Sequence, residues 1–194
     1  MKKYLLNPFE IFNDKKILIV GLIVNILGIL LCYQFKMKFI GFLKLNFVSE
    51  IGLSSVFLQT SIIVLSLCLL LIILGKIINS KTRFIDILNT CLIGIIPFFT
   101  LPIFNFNKLI YNDLESLKTI ILNQQLEKLQ ITNLPILLLF SLLTLVAVTW
   151  SIVLLYQGFK TATNLKLTKH KIFFAIALLL TDLVSRVLIS NLIL

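Results

Sequence analysis

LSSVFLQTSIIVLSLCLLLIILGKII, Leu53 to Ile78, decides the fold class. Its only charge, Lys76, sits at the far end. The run exceeds the ~20 residues that carry a helix across a ~30 Å hydrocarbon core. Working outward, four more runs of the same kind cover residues 17–35, 84–106, 134–159 and 172–194. Each is expected to be a helix, because lipid offers no hydrogen-bond partner to an open strand or loop. The expectation is an all-α polytopic membrane protein: a bundle of five transmembrane helices with short interfacial amphipathic helices. Residues 1–16 form an inner-surface segment and residues 17–194 the transmembrane domain.

The bulk composition agrees. Hydrophobic residues make up 59% of the chain and charged residues 13%; mean hydropathy is +1.06. The formal net charge of +10 would suggest nucleic acid in a soluble protein. Here the basic residues fall in the gaps between apolar runs, the pattern of juxtamembrane anchors. No nucleic-acid partner is expected; the partners are the lipid bilayer and, beyond it, other membrane proteins or a second copy. The stretch after Cys32 has no small-residue cleavage site, so the first run is expected to stay as an anchor.

Lysine and arginine placement sets an orientation. With the N-terminus inside, the inner segments hold Lys2, Lys3, Lys15, Lys16, Lys76, Lys81, Arg83, Lys160, Lys166, Lys169 and Lys171. The outer ones hold Lys36, Lys38, Lys44, Lys108, Lys118 and Lys128. Eleven against six favours N-terminus inside and C-terminus outside. Lysine far outnumbers arginine, and Asn and Ile are abundant, a bias that reads as an AT-rich genome and a bacterial cytoplasmic membrane.

Two segments read as interfacial. Asn7-Pro8 is a capping residue followed by the residue type favoured at the first helical position, with Leu5, Phe9 and Phe12 at helical spacing; a short helix lying on the inner surface fits. Between the third and fourth runs, Asn112 and Glu115 have capping-box spacing, and Ile110, Leu114, Leu117 and Ile121 follow a helical period.

Few residues carry more than packing. Asp182 and Arg186 lie four apart inside the fifth run, on one helix face with the acid first. A lone charge there costs at least ~2.5 kcal/mol, so the pair must face the bundle interior or a wet cavity. It serves either as a relay or substrate-coordinating pair, or as an ion pair fixing how the helix docks. Asn25 and Asn89 are its candidate partners in a polar site. Asp86 opens the third run, where an acid complements the helix dipole. Pro97 and Pro102 predict a kink or break in that run; Gln59-Thr60-Ser61 is a polar notch of the kind that glues helices. Cys32, Cys68 and Cys91 are scattered, with no C-x-x-C, and read as small buried residues. No metal or cofactor is expected. The sole histidine, His170, falls in an inner loop, and no metalloprotease, nucleophile-elbow or phosphate-loop motif is present. Catalysis is not expected.

The layout resembles the Yip-domain family of five-span membrane proteins and its bacterial relatives. The resemblance rests on Asn7-Pro8-Phe9-Glu10-Ile11-Phe12 before the first span and on Gly75-Lys76 leading through Thr82-Arg83-Phe84 to Ile96-Pro97. Trp150-Ser151, Gly158-Phe159-Lys160 and Ala162-Thr163-Asn164-Leu165 before the last span complete it. It implies a fold, a membrane location and a non-enzymatic role in membrane organisation or partner recruitment. Only the short segment 1–16 is expected before the first span, so the GTPase binding that a long cytosolic region serves in eukaryotic members is not expected here. The rival expectation is a small transporter or permease subunit, with a polar track joining Asn25, Asn89 and the Asp182–Arg186 face.

Overall fold

The computed structural model describes residues 6–122 and 134–193. Five of its helices are long and apolar enough to cross a membrane, as the hydropathy runs predict. In chain order the elements are a 3-10 turn at Pro8–Glu10, α1 (Asp14–Gln34), β1 (Met37–Phe39), β2 (Leu45–Phe47), α2 (Leu53–Ile78) and α3 (Phe84–Gly94). A 3-10 segment over Ile96–Lys108 follows, then α4 (Leu109–Leu122), α5 (Leu134–Thr163) and α6 (Thr168–Ile193).

The third span is the centre of the bundle. Two-thirds of its most apolar window is buried (67%), against 11% for α5. It packs against α1, α2 and α5, while α2 runs along α6. Gly28 of α1 permits the closest of these approaches: a Cβ there would stand 2.2 Å from the Phe99 ring. The end of α5 follows from its sequence. Asn164 takes up a left-handed conformation (φ 54°), which Asn tolerates well, and Leu165 N–H donates to the Lys160 carbonyl, the outer bond of a Schellman cap.

The third span breaks as its prolines require. Regular α-helix stops at Gly94, and a 3-10 path continues from Ile96 with Pro97 in its first turn. Pro97 has no N–H to offer the carbonyl four residues back, and Phe98 N–H turns to Ile95 instead. The carbonyl of Gly94 thereby loses its helical partner. Asn25 Nδ2 of α1 donates to Leu92 (2.9 Å) and Ser151 Oγ of α5 to Gly94. Neighbouring side chains thus satisfy backbone that lipid could not.

Three expectations need correction. Over Asn7–Phe12 the helix is one 3-10 turn, Pro8–Glu10, too short to lay an amphipathic face on the membrane, and Asn7 makes no side-chain cap. Phe9 packs inward with Ile17, Ile93 and Trp150, while Leu6, Ile11 and Phe12 stay exposed. Residues 1–5 lie outside the described residues. In the loop before α5, the helix is present but begins at Leu109, so Asn112 falls inside it. Asn105 does the joining instead: its Oδ1 accepts from Tyr111 N–H and its Nδ2 donates to the Phe35 carbonyl at the end of α1. Residues 123–133, with Lys128, lie outside the described residues. The third correction is the connection after α1, expected as a loop and found as a buried hairpin.

Candidate functional site: the hairpin docked on Asp182 and Arg186

The hairpin begins where α1 ends. Lys36 adopts φ 57° and turns the chain back; its ammonium lies 4.6 Å from the Tyr33 ring centre. The strands pair antiparallel in the register Met37 to Phe47, Lys38 to Asn46 and Phe39 to Leu45. Alternation then sends Met37, Phe39 and Phe47 to the same face, and all three are buried. Phe39 meets Phe98 and Phe99 edge-on at 6.3 and 6.4 Å, and Phe42 meets Phe98 at 5.8 Å. The hairpin is therefore held against the 3-10 part of the third span.

A hairpin tip inside a membrane bundle must have its N–H groups satisfied by protein. Ile40 and Gly41 donate to the Lys44 carbonyl. Phe42 N–H donates to Ser185 Oγ at 3.0 Å, and Leu43 N–H to Asp182 Oδ1 at 2.8 Å. Phe39 N–H donates to Gln59 Oε1 at 3.0 Å. The polar notch of α2 and the charged face of α6 thus both serve the hairpin backbone.

Asp182 and Arg186 are joined as their spacing predicts, Nη2 to Oδ2. Their surroundings differ: the Asp182 side chain is 9% exposed and that of Arg186 41%. The carboxylate has both oxygens engaged, one by Leu43 and one by Arg186. Arg186 Nε is buried and has no hydrogen-bond partner among the described residues. A crevice of about 30 Å³ opens beside it, lined by Lys38, Phe39, Gln59, Arg186, Ile189 and Ser190.

Asn25 and Asn89 do not join this site. Asn25 donates to Gly21 and Leu92 at the helix break. Asn89 donates to the Asp14 carbonyl at the start of α1 and lines a separate polar pocket of about 130 Å³ with Asp14, Arg83 and Asp86. There Arg83 reaches Asp14 and Asp86 at 2.7 Å each. Asp86 first, then Asp14, hold the guanidinium charged and raise its pKa. Asp86 therefore does more than complement the α3 dipole: with Asp14 and Arg83 it clasps the starts of α1 and α3.

Sequence reasoning missed Ser185, the hairpin and the role of Gln59. The signal was present in Lys36-Met37-Lys38-Phe39 and Leu43-Lys44-Leu45-Asn46-Phe47, where apolar residues alternate around Gly41 at strand period. The five-span pattern made that stretch look like an ordinary loop. In comparisons with known proteins, no family model, no curated protein and no solved structure matches the chain.

Proposed function

We propose that the protein is a non-catalytic integral membrane protein that organises the membrane or recruits partners within it. The observation that carries this reading is the use to which the intramembrane polar groups are put. Asp182, Ser185 and Gln59 bind hairpin backbone, and Asn25 and Ser151 bind the carbonyls at the helix break. Groups held this way are building elements. The surface left for interaction is apolar and broad. Along α5 it includes a groove of about 880 Å³ lined by Leu142, Leu145, Val146, Thr149 and Trp150, fit for acyl chains or another membrane helix. A Yip-type kinship and a bacterial cytoplasmic membrane with the N-terminus inside belong to the same proposal; they rest on the short motifs and on the lysine distribution.

Photo-crosslinking from single positions along α5, such as Leu138, Leu142 and Leu145, tests it in native membranes. Defined protein adducts or a self-adduct support recruitment, and lipid adducts support organisation. The transporter reading makes a different forecast: in proteoliposomes Asp182→Asn would abolish flux of a solute that the wild type carries, with its thermal stability unchanged. That result would replace the proposal.

A further inference from the structure

The crevice beside Arg186 carries more positive than negative charge. Both oxygens of Asp182 are engaged and Gln59 Oε1 is taken by Phe39 N–H. Two cationic side chains line the crevice, Arg186 and Lys38 from β1; Gln59 and Ser190 complete its polar lining, with Ser190 Oγ donating to the Val187 carbonyl. Two cations against one carboxylate leave a net charge of +1 there. Uncompensated charge at membrane depth is costly, so the crevice calls for an anionic oxygen.

Its position says where that oxygen comes from. The hairpin that carries Lys38 joins the end of α1 to the start of α2, so the crevice lies towards that end of the bundle. A guanidinium snorkels over several ångströms towards the headgroups. It is 41% exposed although it stands inside a spanning helix, and Lys38 flanks it on the hairpin. A crevice of about 30 Å³ holds little more than one water-sized group. It admits a single phosphate oxygen and not a whole solute.

We propose that Lys38 and Arg186 bind the phosphate group of a phospholipid from the leaflet on the hairpin side. Arginine presents a planar fork matched to phosphate, and lysine adds a point charge. The inference goes beyond the proposed function and stands without it.

The test uses the full-length protein in dodecyl maltoside, a detergent without phosphate. Thermal unfolding and native mass spectrometry are followed while dioleoyl phosphatidylglycerol, dioleoylglycerol or inorganic phosphate is titrated. Phosphatidylglycerol is expected to raise the unfolding temperature and remain bound, and dioleoylglycerol to do neither. Lys38→Gln, which removes no hydrogen bond of the fold, is expected to need about tenfold more phosphatidylglycerol for the same shift. Arg186→Lys keeps the charge but loses the fork and is expected to weaken binding too; if it fails to fold, the lysine variant still decides. An equal shift from millimolar inorganic phosphate would keep the phosphate site but assign it to a soluble oxyanion. Equal shifts from dioleoylglycerol, or an unchanged titration for Lys38→Gln, would overturn the proposal.

Discussion

Gly41 lies directly against Arg186: a Cβ on the glycine would stand 2.5 Å from Arg186 Cγ and 2.9 Å from Asp182 Oδ1. Its backbone φ is ordinary, since no glycine in the described residues has positive φ. The glycine is needed for the close approach alone. Gly41→Ala should push the hairpin tip off α6 and cost about 1–3 kcal/mol, the range for overpacking a filled interior. Unfolding in detergent measures it; a variant as stable as wild type would show that the tip is not seated there.

Asp182 and Arg186 should behave as a unit. Removing one partner of a fully buried pair costs ~3–5 kcal/mol; because the Arg186 side chain is 41% exposed, about 2 kcal/mol is expected for Asp182→Asn or Arg186→Gln. Asn at 182 still offers an oxygen to Leu43 N–H, so the double neutral variant should regain most of the loss. A double-mutant cycle reads this directly. Additive losses would mean that the two charges do not feel each other.

The broken third span makes its own forecast. Ser151→Ala strands the Gly94 carbonyl, at about 1–3 kcal/mol for an unmet buried acceptor. The loss should shrink in a Pro97→Ala background, where regular helix can run on past Gly94. Asn25→Leu is no part of that coupling and should cost the same in both backgrounds. Hydrogen exchange across residues 92–98 would reveal that change. Unaltered exchange would sink the account of the break.

Cys68 of α2 and Cys91 of α3 are both buried in the one core cluster where these helices pack together. In a Cys32→Ser background, mild oxidation with iodine in the membrane should join them, seen as loss of two thiols on labelling after denaturation. Cys68→Ser should leave Cys91 free under the same treatment. Retention of both thiols would place α2 and α3 further apart than described.

Much of the architecture was legible because a bilayer constrains helices so strongly. The second span reads from the sequence as Leu53–Ile78 and is found at those residues, and the prolines at 97 and 102 announced the break. The Asp182–Arg186 pair was also legible, since spacing of four on a helix is a geometric fact. Its purpose was not. Leu43 and Phe42 meet α6 across separations of 139 and 143 residues, and no local pattern encodes a backbone N–H that far away. Asn25 and Asn89 looked like partners for the pair because polarity and membrane depth were all the sequence offered; which way each faces is decided by packing.

The hairpin also ties an early span to a later one. It follows the first span out of the insertion machinery, yet the groups that receive Phe42 and Leu43 arrive only with the fifth. Until α6 docks, those amides must be met by water or remain unmet. Closure of the hairpin therefore waits on α6: a chain in which that helix is missing, misplaced or reversed keeps an open hairpin.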